Sequence, residues 1–199
     1  MLVNLFQLMG IDKPRYLDLG AHHPFIISNT ALLYERGSRG VNVDANPNLL
    51  AAFNLYRPED VNLNVGVGLE EGEATFYMFS DSSGRNTMSK AETEMLAAQH
   101  GMTVRKEIKV PVTTVAAIVE KHFGGYYPDL LMTDLEGLDY AVLKSTSFEK
   151  SAPKVIVSET RKGDAGLVKQ LMNERGYFVY CRMGENLFFV HNDFKTMVY

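Results

Sequence analysis

The sequence predicts an α/β fold: a doubly wound, mostly parallel, Rossmann-like sheet that closes with a terminal antiparallel hairpin. Short β-rich runs alternate with helical ones from Tyr16 onward, and the first, second and fourth of the runs expected in the sheet end on Gly or Asp. The last two are separated only by Met183-Gly184-Glu185, too few residues for a crossover, so they must pair as neighbours running in opposite directions. A length of 199 residues suits one sizeable core, and residues 1–199 are read as a single domain.

Met1 to Gly10 reads as a short helix packed on the domain. Tyr16 to Ala21 (YLDLGA) is the first strand and its turn, after which Ser28 can cap a helix running through Leu32, Leu33 and Tyr34 to Gly37. Gly40 to Ala45 (GVNVDA) is the second strand, and Asn46-Pro47 starts the next helix, with proline in its first turn. Val61 to Val67 reads as a third strand and Ala74 to Phe79 as an added one. Between Ser80 and Arg105 the residues change to turn formers (SDSSGRNTMS) and then a helical stretch, Ala91 to His100; residues 80–105 are the candidate lid or acceptor insertion. A short strand at Lys109 to Val112 and a helix from Val115 to His122 precede Asp129 to Thr133, a buried strand that runs into Asp134-Leu135-Glu136-Gly137. A helix from Tyr140, a strand from Lys154, a helix from Gly166, and strands Tyr177–Arg182 and Asn186–His191 complete a class I methyltransferase-like order. In such sheets ligands bind at the carboxyl ends of the strands, where the strand order reverses.

Composition narrows the partners. A net charge of -4 offers no broad positive field for a phosphate backbone, which argues against nucleic acid. Cys181 is the single cysteine, so no internal disulfide or cysteine-rich zinc site is available, and a reducing compartment is expected. The first residues show neither a long apolar run nor a basic leader, so no membrane partner and a cytoplasmic location are expected. The tail Asp193 to Tyr199 suits packing on the same domain or on a partner subunit.

Chemistry gathers at the strand ends. Asp18, followed by Gly20 and Ala21, offers a carboxylate to a cationic group beside a turn where backbone can approach a ligand. A dinucleotide turn needs Gly-x-Gly-x-x-Gly, and this one continues His22-His23-Pro24-Phe25, which disfavours a nicotinamide cofactor. Asp44 ends the second strand, where two carboxylate oxygens match a ribose diol. Asp134 and Glu136 stand where the reacting end of a cofactor would lie, as orienting groups or as a base, and equally as caps of the next helix. Glu159 is a third acidic candidate. His22 or His23 can serve as a base with a near-neutral pKa, although adjacent residues need not face the same way. Carboxylates alone do not define a metal site, and no metal is assigned.

These residues resemble the FkbM-type S-adenosylmethionine-dependent methyltransferases, a family associated mainly with O-methylation of sugar, polyketide and other natural-product hydroxyls. The likeness rests on Tyr16 to Thr30, Gly40 to Pro47, Asp129 to Ser145 and Val155 to Glu159, with Asp134 to Gly137 (DLEG) its most specific part. The resemblance implies S-adenosylmethionine as cofactor, Asp18, Gly20 and Ala21 on its methionyl part, and Asp44 on its ribose. It also implies Asp134 and Glu136 beside the methyl-transfer centre, with a small-molecule hydroxyl as acceptor. For the base, Asp134 or Glu136 is expected before His22. A module that keeps the pocket but transfers nothing stands as the alternative.

Overall fold

Period-two alternation along the strands separates two apolar layers on one central sheet. The architecture comes from a computed structural model that describes residues 1–160 and 163–198. Among the described residues the central sheet has seven strands: β1 (Tyr16–Leu19), β2 (Gly40–Val43), β3 (Val61–Leu63), β7 (Leu130–Thr133), β8 (Val155–Glu159), β9 (Tyr177–Met183) and β10 (Asn186–His191). They lie in the order β3-β2-β1-β7-β8-β10-β9. β1 pairs in parallel with β2 and β7, β2 with β3, and β7 with β8, whereas β10 runs against both neighbours. The expected doubly wound sheet with a terminal antiparallel hairpin is thus present, and its order reverses beside β1.

On one face, Leu17, Leu19, Leu131, Ile156 and Phe189 pack against α5 (Val115–Phe123), α6 (Asp139–Ser145) and α7 (Ala165–Glu174). On the other, Tyr16, Leu130, Met132, Val155 and Val157 meet α1 (Leu2–Leu8), Leu33 of α2 (Ala31–Glu35) and Val198 of α8 (Lys195–Val198). The tail therefore packs on its own domain through Val198; Tyr199 lies outside the described residues. No described helix is long and apolar enough to cross a membrane.

Two helices begin where the N-cap side chain satisfies an orphan N–H group. Ser89 caps α4 (Lys90–His100) by accepting from Glu92 N, and Thr114 caps α5 by accepting from Ala117 N. Ser28 Oγ takes the N–H of Ala31 at 3.2 Å, as expected of a cap, and α2 runs from Ala31, with no capping bond from the Thr30 side chain. After β2 the expected start at Asn46-Pro47 gives way to an Asx turn, Asn46 Oδ1 accepting from Asn48 N, and α3 runs over Leu50–Tyr56.

The continuous strand expected over Val61–Val67 is two strands. Asn64 leaves the ladder to donate Nδ2 to the Asp44 carbonyl at 2.9 Å, and β4 (Gly66–Val67) joins a second, three-stranded sheet. There it lies beside β6 (Lys106–Thr113), whose other neighbour is β5 (Gly72–Met78). The pairing of Met78 with Lys106 closes the base of the segment between β5 and β6, so the expected insertion leaves and re-enters the domain at adjacent points.

Candidate active site

The carboxyl ends of β1, β2, β7 and β8 open into a cavity of about 1100 Å³, lined also by residues 83–88 and by Met95, Gln99 and His100 of α4. Asp18, Gly20, Ala21, His22, Asp44, Asp134 and Glu136 line this one cavity together with Glu159, whereas His23, the other histidine considered as a base, does not.

At the β1 end, Asp18 is buried and its Oδ2 accepts from Thr30 Oγ1 at 2.6 Å. Burial pushes its carboxyl up; the Thr30 bond and then the Arg57 charge oppose that rise. Gly20 has φ 81°, and a Cβ there would overlap the Asp134 carbonyl oxygen. The glycine is thus demanded by the adjacent strand end, in addition to any ligand. Asp44 binds the turn on both sides: Oδ2 accepts from His22 N at 2.9 Å and Oδ1 from Asn46 N at 2.8 Å. Burial raises its pKa while these two N–H groups lower it. Each oxygen retains lone-pair capacity for a further donor.

The two histidines separate, as adjacent residues in a turn can. His22 Nε2 lies 3.1 Å from the Ser82 carbonyl, which only accepts, so Nε2 carries the proton in that contact. His23 Nδ1 accepts the N–H groups of Phe25 and Ile26 and shapes the loop. Among the described residues, the non-glycine positions with left-handed backbone are His22 (φ 54°), Ile27 (φ 56°) and Glu136 (φ 48°). All three line the cavity, so the backbone strain of the fold is concentrated there.

At the β7 and β8 end, oxygens of Asp134, Glu136 and Glu159 lie within 4.8 Å of one another. Burial first, then repulsion from Asp139 and Glu136, raises the Asp134 carboxyl to about 7. Burial and the Glu159 charge raise Glu136 to about 8, with Arg85 opposing, and Glu159 rises to about 8 by burial and the Asp134 charge. Such a trio holds protons near neutral pH and favours an incoming positive charge. Asp139 is the capping member of the DLEG turn: its Oδ1 and Oδ2 both accept from Leu135 N at 3.1 Å.

The segment after β5 is fastened to the loops at the strand ends. Asn46 Nδ2 donates to the Asp81 carbonyl at 2.8 Å, and Thr87 Oγ1 donates to the Glu136 carbonyl at 2.9 Å. Arg85, Asn46 and Glu185 also line the cavity and were not singled out by the sequence reading. Glu185 was findable: a hairpin whose first strand is parallel to β8 must turn at the sheet's carboxyl edge, and Thr160 N indeed donates to the Glu185 carbonyl at 2.8 Å.

The strand order, with a cavity lined by carboxylates at the strand ends, is that of a Rossmann-like, class I methyltransferase-like fold. The family model described as "Methyltransferase FkbM domain" matches residues 18–179, most of the chain, and the protein belongs to that family. Comparison with curated proteins and with solved structures gives no match.

Proposed function

We propose that this protein transfers the methyl group of S-adenosylmethionine to a hydroxyl of a sugar, polyketide or other small metabolite. The observation that carries the reading is the division of one cavity into two acidic ends, Asp18 and Asp44 on one side and the Asp134, Glu136 and Glu159 trio on the other.

The donor set fits the cofactor. Asp18 would take its ammonium and Asp44 its ribose hydroxyls, while Ala45, Val65, Phe76 and Met88 supply an apolar wall beside Asp44 for a flat base. Small-molecule pockets usually span roughly 300–1,000 Å³, so a cavity of about 1100 Å³ leaves room for an acceptor beside the cofactor. The net positive charge of the cofactor complements an acidic lining. When bound, the sulfonium supplies a methyl group that is already electrophilic.

The protein's own task is then to hold the acceptor oxygen in line and to accept its proton. Asp134, raised to about 7, and Glu136, raised to about 8, are matched to that task, because a base works best with a pKa near the operating pH. His22 is the less suited base, since the Ser82 carbonyl engages its Nε2. Residues 80–105 act as a lid that excludes water once both ligands are seated.

Thermal unfolding with S-adenosylmethionine, S-adenosylhomocysteine and NAD in parallel tests the reading. The first two raise the melting temperature by binding only the folded state, and NAD does not. The absence of any shift at about 1 mM, where even weak binding registers, sinks it. A positive shift leads to radiolabelled methyl transfer onto a panel of sugar and polyketide hydroxyls.

A further inference from the structure

Behind the Asp18 end of the cavity lies a buried guanidinium that the chemistry above does not use. Arg57 follows α3, is fully enclosed, and has a partner for each of its five N–H groups. Nε donates to Asp60 Oδ2 at 2.9 Å; Nη1 donates to the Pro24 carbonyl at 3.4 Å and to Thr30 Oγ1 at 3.1 Å. Nη2 donates to Tyr16 Oη at 2.7 Å and again to Thr30 Oγ1 at 3.1 Å. The Tyr16 hydroxyl donates to Asp60 Oδ2 at 2.6 Å, and the Asp60 carboxylate also accepts from Asn42 Nδ2 at 3.0 Å and Gly40 N at 2.8 Å. A buried ion pair of this kind is weak support for stability, because apolar residues of similar volume often serve as well.

Thr30 is the point where this network reaches the cavity. Its hydroxyl oxygen accepts two bonds from Arg57, which directs its single proton to Asp18 Oδ2 at 2.6 Å; Ser28 Oγ lies farther off, at 3.5 Å. Asp18 lines the cavity, and no protein donor reaches its Oδ1 among the described residues. The charged groups that act on Asp18 are Arg57 from the end of α3, Asp60 from the turn before β3, and Asp44 from the end of β2, while Asp134 beyond β1 feels Asp18 in turn. Arg57 is the one positive charge among them.

We propose that Thr30 is a positioning residue for the cofactor site: it links the Arg57 charge to Oδ2 of Asp18, fixes that carboxylate, and leaves Oδ1 to receive the cofactor's ammonium. The inference rests on the cofactor reading given under the proposed function. It also accounts for the lack of a capping bond from the Thr30 side chain to the first turn of α2.

The test is calorimetric titration of S-adenosylhomocysteine, which keeps the ammonium, into the wild type, Thr30→Val and Thr30→Ser, with the urea midpoint of each recorded. Losing a charge-assisted bond weakens binding by roughly tenfold or more in Thr30→Val, and the retained hydroxyl keeps Thr30→Ser within about threefold of wild type. A purely structural Thr30 would lower the urea midpoint of Thr30→Val and leave its affinity at the wild-type value, and that result overturns the proposal. If Thr30→Val does not fold, Thr30→Cys, close in size with only a weak S–H donor, carries the same expectation. A wild type that fails to bind removes the cofactor reading and this inference together, whereas equal binding by wild type and Thr30→Val removes the inference alone.

Discussion

The carbonyl oxygen of Asp134 occupies the space that a Cβ on Gly20 would need, at a position where the backbone also takes φ 81°. The two strand ends that carry the opposite halves of the site are thereby in direct backbone contact. Gly20→Ala must strain the turn and displace Asp134 at once, so it should destabilise the domain by roughly 2–5 kcal/mol. Urea unfolding measures this, and an unchanged midpoint would show that the turn relaxes enough to admit a Cβ.

Stability should fall as pH rises toward 8 in the free protein. Asp134 (about 7), Glu136 (about 8) and Glu159 (about 8) keep their protons in the folded state at pH values where the unfolded chain has already released them. The native state therefore binds more protons, and the stabilisation, complete below the unfolded carboxyl range, is lost as pH climbs through 7 to 8. Urea midpoints taken between about pH 5.5 and 8.5 should decline, and Glu159→Gln should flatten the decline by removing one member of the trio. A midpoint that rises with pH over this window contradicts the proposed protonation of the trio.

Much of this arrangement was legible because strand ends are marked locally. Leu17 and Leu19 against Tyr16, and Ile156 against Val155 and Val157, show the alternation that splits the two layers; Asp44 and Asp134 each fall where a strand stops, and Asp18 one residue before the end of β1. Asp18 and Asp134 stand on neighbouring strands because β1 and β7 pair in register, Leu19 opposite Thr133. What was not legible depends on tertiary contact. Thr30 reads as one more residue at a helix start, and Arg57 as an exposed charge in a loop, until the fold brings the two together around Asp18. The break at Asn64 was hidden for a similar reason: Val61 to Val67 is uniformly strand-like, and only the Asp44 carbonyl and the edge of β6 divide it.

Asp44 should not tolerate the amide that most resembles it. Its two oxygens accept from His22 N and Asn46 N, so in Asp44→Asn the amide NH₂ must face one of those N–H groups, donor against donor. Affinity for S-adenosylhomocysteine should drop by roughly ten- to a hundredfold in Asp44→Asn, and by no less than in Asp44→Ala. Titration calorimetry on both variants decides the matter. An asparagine variant that binds like wild type would mean that charge and turn geometry at Asp44 are both dispensable.

The proposed lid should open when its tie to the Asp44 end of the cavity is cut. Asn46 is buried, and its Nδ2 holds the Asp81 carbonyl at 2.8 Å, while Asn48 reaches the same oxygen only at 3.4 Å. Asn46→Ala leaves the weaker bond and the His22 contact to Ser82, so the free energy of opening should fall by the value of about one hydrogen bond. Dissociation of S-adenosylhomocysteine should then quicken by roughly three- to tenfold. Arg85, exposed in the same segment, provides an independent readout, because trypsin cuts after arginine and local opening controls access to it. Faster cleavage at Arg85 in Asn46→Ala, slowed by bound S-adenosylhomocysteine, is the expected pattern. Unchanged cleavage and dissociation would mean that Thr87 and its bond to the Glu136 carbonyl hold the segment without help from Asn46.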